Sequence, residues 1–336
     1  MTFARIPGVT LFVALMLLAA ACGSTPTAPT PPPPPPPVVA DPPTLACPAS
    51  IAASTTATTG IAVTFTTPVA EKGALPVTVS CTPPAGETFP IGDTRVECTA
   101  KDSLERSATC SFQVSVSRTP LLSKTRFLAF GDSITFGEVT VPVSSSRSLG
   151  TPSTRLIQVP WAAYPTALTR FLESRYTTQE DAIIVANYGL GGEKAINARD
   201  RFMAALNIVR PEVVLLMEGS NDIARGEDGA ASGAAREISV MAAEARLRGM
   251  RVLLATVPPG RPGLSKTISP FLIADYNARM RIVAQSQGAL LVDIFQALST
   301  DVSRYIGIDG LHPTELGYAK IAETFYNVIR SEFEVR

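Results

Sequence analysis

Residues 124–336 carry the pattern that most constrains the fold, because short apolar runs alternate there with helical patterns. The runs are nearly continuous in valine, leucine, isoleucine and other apolar residues, as strands buried on both faces are. The runs occupy 126–130, 182–187, 213–217, 251–257 and 290–294, and the helical patterns about 161–176, 194–209, 234–249, 270–287 and 314–333. This alternation predicts a doubly wound, flavodoxin-like parallel sheet of about five strands between two helical layers, a three-layer α/β/α fold.

The amino-terminal residues indicate export. Arg5 precedes an apolar stretch that runs to Ala21, which is typical of a signal peptide over 1–21 and too short for a membrane-spanning helix. The sequence LAAAC at its end resembles the processing site of a bacterial lipoprotein, with Cys22 as the lipidated residue, and it also fits ordinary small-residue cleavage. We favour lipidation because Cys22 is otherwise an odd thiol beside four others. The expected product is a cell-envelope lipoprotein anchored only by its lipid, or else a secreted protein.

A proline-rich segment follows this leader. Seven consecutive prolines, 31–37, cannot form a helix or a sheet and favour the extended polyproline II conformation. Residues 22–41 are therefore interpreted as the lipidation site followed by a linker, either a semi-rigid stalk or a disordered spacer. The first folded unit is expected to begin at about residue 42.

Residues 42–118 have a different pattern, with short strand-like runs and no helical stripe. The runs IAVTFTTP, LPVTVSC, TRVECTA and CSFQVSV predict a small β-sandwich. Four cysteines lie in this stretch, and an exported compartment is oxidising, so two disulfides are expected. Sequence alone allows three pairings of Cys47, Cys81, Cys98 and Cys110.

Residues 81–117 resemble the hyalin repeat (HYR) module, an immunoglobulin-like domain. The resemblance rests on FPIG at 89–92, the V-x-C-T-A-x-D run and the closing C-x-F-x-V-x-V. It implies adhesion or spacing, and a rigid spacer is favoured over a ligand-binding module because no aromatic cluster or acidic calcium pattern is present. The first and last strands of immunoglobulin-like folds often lie side by side, which implies the following disulfides: Cys47–Cys110 and Cys81–Cys98.

The loops that follow the predicted strands of the second unit contain the residues that acyl transfer requires. Ligands bind at the carboxyl ends of parallel strands. GDSIT with Ser133 follows the first strand, NYGLGGEK the second and EGSNDI the third, and DGLHP comes some distance after the fifth. A serine nucleophile needs a base, usually a histidine oriented by a carboxylate. His312 is the only histidine of the chain, so any Ser-His mechanism must use it.

Together, and in this order over about 125–330, the blocks GDS, N-x-G-x-G-G, G-x-N-D and D-G-x-H resemble the SGNH/GDSL hydrolase family of esterases and lipase-like enzymes. The resemblance implies a Ser-His-Asp triad and an acyl-enzyme intermediate. Ser133 is then the nucleophile, His312 the base and Asp309 the residue that orients the base.

The resemblance also implies an oxyanion hole. Its donors are the backbone N–H groups of Ser133 and Gly192 and the side-chain amide of Asn221. Gly189 and Gly191 lie so close in the sequence that the choice of Gly192 among the three glycines stays open. The second block ends in GGEK, where many members of the family have an aspartate in place of the glutamate.

Other classes of protein fit the sequence less well. The chain has no G-x-S-x-G, no S-x-x-K and no complete phosphate loop, and residues 124–336 contain a single histidine and no cysteine for a metal. No metal or cofactor is therefore expected. Lys+Arg and Asp+Glu both number 29, and the resulting zero net charge argues against nucleic-acid binding.

The expected function is an exported serine esterase for short acyl esters, with acetylated carbohydrate suggested by family analogy alone. Residues 138–160 are expected to form a long loop that roofs the cleft or covers the surface, and 258–270 to line the opposite wall. Trp161 is interpreted as a core anchor in preference to a substrate contact. Two alternatives stay open: an inactive surface protein that binds glycans, and an acyltransferase that uses the same residues.

Overall fold

The computed structural model describes residues 38–143 and 154–335. The predicted signal peptide, Cys22 and the seven prolines lie outside the described residues. Within those two ranges, no helix is both long enough and apolar enough to cross a bilayer.

The amino-terminal unit consists of β-strands: β1 Thr44–Leu45, β2 Ile51–Thr55, β3 Ile61–Ala62, β4 Ala70–Glu71, β5 Thr78–Thr82, β6 Thr88–Phe89, β7 Gly92–Lys101 and β8 Ser107–Arg118. A four-stranded sheet has the order β2-β8-β7-β5, and β1-β4 and β3-β6 form two-stranded antiparallel ribbons. Val96, Phe112 and Val114 alternate inward from β7 and β8 and pack with Phe89. The strand predicted from the IAVTFTTP run is much shorter in the structure, where only Ile61 and Ala62 of this run pair with β6.

Two disulfide bonds lie within the amino-terminal unit. Cys47 is bonded to Cys110, and Cys81 is bonded to Cys98, which is the pairing implied by the immunoglobulin-like resemblance. Cys81 and Cys98 lie directly opposite each other on β5 and β7, so their bond crosses neighbouring strands. An all-β amino-terminal unit was predicted, and the fold confirms it.

The second unit contains the predicted parallel sheet. Its strands, with those of a separate ribbon, are β9 Arg126–Gly131, β10 Glu138–Pro142, β11 Thr154–Gln158, β12 Ile184–Gly189, β13 Val213–Met217, β14 Arg251–Ala255 and β15 Leu290–Val292. The sheet has the order β12-β9-β13-β14-β15, and every neighbouring pair is parallel. This is the predicted flavodoxin-like order, in which β12, the second of these strands along the chain, lies on one side of β9 and the later strands lie on the other.

Helices cover both faces of this sheet. They are α1 Ser133–Phe136, α2 Tyr164–Arg175, α3 Arg199–Val209, α4 Ser220–Ile223, α5 Ala230–Leu247, α6 Pro270–Gln287, α7 Ile294–Ser299, α8 Val302–Tyr305 and α9 Glu315–Phe333, with 3₁₀ turns at Thr177–Ala182 and Ala195–Asn197. Phe127 and Ala129 of β9 pack towards α2 and α9, whereas Leu128 and Phe130 pack towards α3, α5 and α6. Because helices cover both faces of the sheet, its strands are nearly continuous in apolar residues. The predicted α/β fold is confirmed.

Two local predictions in this unit are wrong. Residues 138–160 are not one long loop, because β10 and β11 pair antiparallel from Glu138 opposite Gln158 to Pro142 opposite Thr154. Trp161 is not a core anchor, since 63% of its surface is exposed. Tyr164 fills the core at the start of α2 instead and is fully buried.

Candidate active site

Ser133 lies where strand β9, second in the order of the sheet, meets the first turn of α1. Asp132 caps this helix by accepting a hydrogen bond from the Ile134 N–H at 2.9 Å. Gly131 allows the tight turn, because a Cβ at this position would collide with the Met217 carbonyl and the Thr135 side chain. The turn places the Ser133 side chain at the carboxyl edge of the sheet.

Ser133, His312 and Asp309 lie in one hydrogen-bonded row although the serine and histidine are 179 residues apart. The Ser133 Oγ is 2.9 Å from His312 Nε2, and His312 Nδ1 is 2.6 Å from Asp309 Oδ2. All three residues are buried, and the row is therefore shielded from bulk water. The loop before α9 holds the histidine in place, since the Gly307 N–H donates to the His312 carbonyl at 2.8 Å.

Asp309 is held as a carboxylate. Its Oδ1 accepts hydrogen bonds from the N–H groups of Leu311 and His312, both at 3.0 Å. Burial alone would raise the pKa of Asp309, but the hydrogen bonds from His312 and Leu311 outweigh it and hold that pKa well below its usual range. An ionised carboxylate at this position orients the imidazole and stabilises an imidazolium.

The expected oxyanion donors face the same cavity as Ser133 and His312. This cavity has a volume of about 330 Å³, and Gly192 and Asn221 both line it. The Asn221 side-chain amide donates one hydrogen bond to the Glu193 carbonyl at 2.8 Å, which leaves its second hydrogen free for a ligand. Within the described residues, the backbone N–H groups of Ser133 and Gly192 make no hydrogen bond to the protein.

The three glycines of the second block have different surroundings. The Gly189 N–H is engaged by the Asn187 side chain at 2.9 Å, and Gly191 packs against Glu138. Gly192 has a φ of +76° and lies in a turn closed by the hydrogen bond from the Glu193 N–H to the Leu190 carbonyl. Of these glycines, only Gly192 lines the cavity.

Arg201 supports this turn and was not predicted. Its guanidinium pairs with Glu193, with Nε 2.9 Å from Oε1, and donates to the carbonyls of Tyr188 at 2.6 Å and Gly131 at 3.2 Å. It thereby joins the ends of β9 and β12 to the glycine turn. The eight-residue spacing from Glu193 does not suggest a pair, because the chain leaves the turn through a 3₁₀ segment before α3 begins.

Two buried carboxyl groups follow strand β13. Asp222 accepts hydrogen bonds from the N–H groups of Ala195 at 2.8 Å and Ile196 at 3.3 Å, and it thereby ties its own loop to the segment that follows the glycine turn. Glu218 was not singled out from the sequence, and its carboxyl oxygens have no hydrogen-bond partner among the described residues. Burial, together with the charge of Asp132, raises the pKa of Glu218 well above its usual range.

Two further charged side chains line the cavity. Lys266 lies in the predicted wall segment, with Nζ 3.9 Å from Asp309 Oδ2. Glu138 is the first residue of β10, and its Oε2 is 3.8 Å from His312 Nε2. Sequence reasoning missed Glu138, because the run EVTVP has no motif and its place beside the histidine depends on the β10-β11 ribbon.

Both units of the chain match known protein families. Residues 129–320 match the GDSL-like lipase/acylhydrolase family, and residues 39–116 match the HYR domain. Similar crystal structures include a lipase/acylhydrolase from Enterococcus faecalis (18% identity, 62% of this chain and 97% of that chain, TM-score 0.49). A second is an α/β hydrolase enzyme from the metagenome of Lake Arreo, with 20% identity over 62% of this chain and 96% of that chain and a TM-score of 0.49. A third is an acetylxylan esterase from Geobacillus stearothermophilus, with 20% identity over 62% of this chain and 94% of that chain and a TM-score of 0.46.

No curated protein matches the chain. The family match nevertheless spans more than half of the 336 residues. The chain belongs to the GDSL-like lipase/acylhydrolase family of carboxylic ester hydrolases and carries an HYR domain on the amino-terminal side of its hydrolase domain.

Proposed function

We propose that this protein is an exported serine esterase for short acyl esters that acts through Ser133, His312 and Asp309. The observation that carries the proposal is the continuous row of these side chains, with distances of 2.9 Å and 2.6 Å, which opens into a cavity lined by oxyanion donors. In the same proposal, residues 42–118 and 124–336 are the two folded domains.

Acylation begins when Ser133 Oγ attacks the ester carbonyl carbon and its proton passes to His312 Nε2. The developing oxyanion is stabilised by the N–H groups of Ser133 and Gly192 and by the Asn221 amide. The imidazolium, stabilised by Asp309, then gives its proton to the alcohol oxygen as the ester C–O bond breaks. The products of this half-reaction are the free alcohol and an acyl group on Ser133.

Deacylation repeats the same steps with water. His312 takes a proton from a water molecule, which attacks the acyl carbon through an oxyanion held by the same donors. The proton then returns to Ser133 Oγ as the acyl–oxygen bond breaks and the carboxylic acid leaves. Apart from the ester and water, no group outside the chain enters either half-reaction.

The cavity supports a small acyl group. Its volume of about 330 Å³ is at the lower end of the range for small-molecule sites, roughly 300–1,000 Å³. Its lining includes the polar or charged side chains of Ser265, Lys266 and Thr267 beside a few apolar ones. This composition suits acetyl esters of polar alcohols, including acetylated polysaccharide, better than long-chain lipids.

The test uses p-nitrophenyl acetate and a fluorophosphonate probe. Wild-type protein should hydrolyse the ester and be labelled on Ser133, as located by mass spectrometry, and Ser133→Ala should lose both properties. Ser265→Ala, on the cavity wall, is the matched control and should still be labelled. Unchanged turnover in Ser133→Ala would contradict the mechanism, and no labelling of a folded wild-type protein would favour a glycan-binding role.

The location outside the cytoplasm is supported by the two disulfides and the HYR domain, both typical of oxidising compartments. Lipidation of Cys22 remains part of the proposal. Mass spectrometry of the mature amino terminus from a bacterial host should show a diacylglyceryl group on Cys22. Cleavage after Ala21 without added mass would indicate a secreted form.

A further inference from the structure

Glu138 is a charged residue of the catalytic cavity to which the proposed mechanism gives no role. It begins β10, and its backbone carbonyl accepts a hydrogen bond from the hydroxyl of Tyr318, a buried residue of α9, at 2.6 Å. The same helix follows the loop that carries His312. Glu138 and His312 are therefore fixed against one element, and the exposed fraction of the Glu138 side chain is only 19%.

The Glu138 carboxylate lies between the base and the glycine turn. Its Oε2 is 3.8 Å from His312 Nε2, the nitrogen that also lies 2.9 Å from Ser133 Oγ. On its other side, Oε1 packs against Gly191, where a Cβ would come within 2.5 Å of it. None of the described residues donates a hydrogen bond to this carboxylate. A largely buried carboxylate without a donor is unfavourable on its own, so its oxygens are available for a donor that a ligand brings.

The position of the leaving alcohol follows from the proton transfer. The alcohol oxygen must come within hydrogen-bond reach of His312 Nε2 to receive its proton. The carbon atoms of the alcohol then extend into the part of the cavity beside Glu138. A hydroxyl on the carbon next to the esterified one can reach the Glu138 carboxylate and form a charge-assisted hydrogen bond with it.

We infer that Glu138 selects the alcohol part of the substrate, and that the site takes esters of polyols or sugars with a free hydroxyl beside the ester. This inference rests on the proposed esterase function and specifies its substrate class. An ammonium group is the other natural partner of a carboxylate. The Lys266 side chain lines the same cavity, however, and its positive charge opposes a second cation.

The test compares 2-hydroxyethyl acetate with 2-methoxyethyl acetate. The two esters share the acyl group and the chain around the ester, and the methyl cap removes the hydrogen-bond donor. Wild-type kcat/KM should be roughly tenfold higher for the hydroxyl ester, as one hydrogen bond to a charged group allows. Glu138→Gln should bring the ratio close to one. Its lost charge beside His312 lowers kcat/KM for both esters, so the ratio is the readout.

Glu180→Gln, an exposed position in a 3₁₀ turn, is the control and should keep the wild-type ratio. Equal wild-type kcat/KM for the two esters would overturn the inference and leave the esterase intact, whatever the variant does. A preference that survives in Glu138→Gln would also overturn it. A preference for acetylcholine over 3,3-dimethylbutyl acetate that depends on Glu138 would also overturn the inference, because it would show that Glu138 selects a cation and not a hydroxyl group. If neither ester is hydrolysed and Ser133 is not labelled, the esterase proposal itself fails, and this inference fails with it.

Discussion

The Asn221 side-chain amide donates a hydrogen bond to the Glu193 carbonyl oxygen across 2.8 Å. This contact fixes the amide in the wall of the cavity that Ser133 also lines, and it leaves the second amide hydrogen free for a ligand. An oxyanion donor held in place before the reaction needs no reorganisation when charge develops.

Asn221→Ala should therefore lower kcat for p-nitrophenyl acetate by about a hundredfold or more, because one donor to the oxyanion is lost. KM should change much less, since the donor acts on the transition state. Steady-state kinetics measures both, with Asn327→Ala at an exposed position of α9 as the control. A wild-type kcat in Asn221→Ala would remove this residue from the oxyanion hole.

Asp309→Asn should change both activity and the pH dependence of stability. The variant should lose most activity, because an amide cannot stabilise the imidazolium as the carboxylate does. The pKa of Asp309 is lowered in the folded protein, so its stabilising contribution is complete above the unfolded value of about 3.9 and is lost as pH falls towards the folded one. The difference in unfolding temperature between wild type and Asp309→Asn should therefore narrow from pH 7 to pH 3. A constant difference would mean that the carboxylate is not specifically stabilised.

Glu218→Gln should show the opposite sign. Burial raises the pKa of Glu218, so the folded protein keeps a proton that the unfolded chain has already lost above a pH of about 4.3. The wild type consequently loses stability as pH rises from there towards the folded pKa, and glutamine, which does not titrate, removes this loss. Thermal unfolding should show a larger gain for Glu218→Gln at pH 8 than at pH 5. An equal gain at both pH values would contradict a raised pKa of Glu218.

Arg201→Lys tests a positioning residue. Lysine keeps the charge but cannot hold Glu193 and the Tyr188 and Gly131 carbonyls at once, because it lacks the planar fork of donors. The glycine turn should shift, and kcat should fall about ten- to a hundredfold with little change in KM. Arg199→Lys, exposed on the same helix, is the control. A pure loss of stability with unchanged kcat would reduce Arg201 to a structural role.

The features that were predictable from sequence are those with a local signature. The strand Val213–Met217 was predicted with its observed bounds, because each of its five residues is buried and apolar. The loops with Ser133 and His312 were found because parallel strands bring their carboxyl ends to one edge. The hydrogen bond between these two side chains could not be predicted, since no local pattern indicates a contact between residues that are 179 positions apart.

The features that were missed depend on tertiary contacts. Glu138 reaches the histidine only because β10 pairs with β11 and is tied to Tyr318. Arg201 and Glu218 look like ordinary charged residues in the sequence, and their roles come from the strand ends around them. Trp161 was misread because a single large aromatic residue is usually buried, whereas here Tyr164 occupies the core at the start of α2.

The solitary imidazole of His312 has a spectroscopic consequence. Because the chain contains no other histidine, ¹⁵N-histidine labelling of untagged protein marks one ring and no other. Its Nδ1 and Nε2 resonances then report separately on the contacts with Asp309 and Ser133. The protonation state and tautomer of His312 can thus be read in the intact protein without assigning a spectrum and without altering a residue.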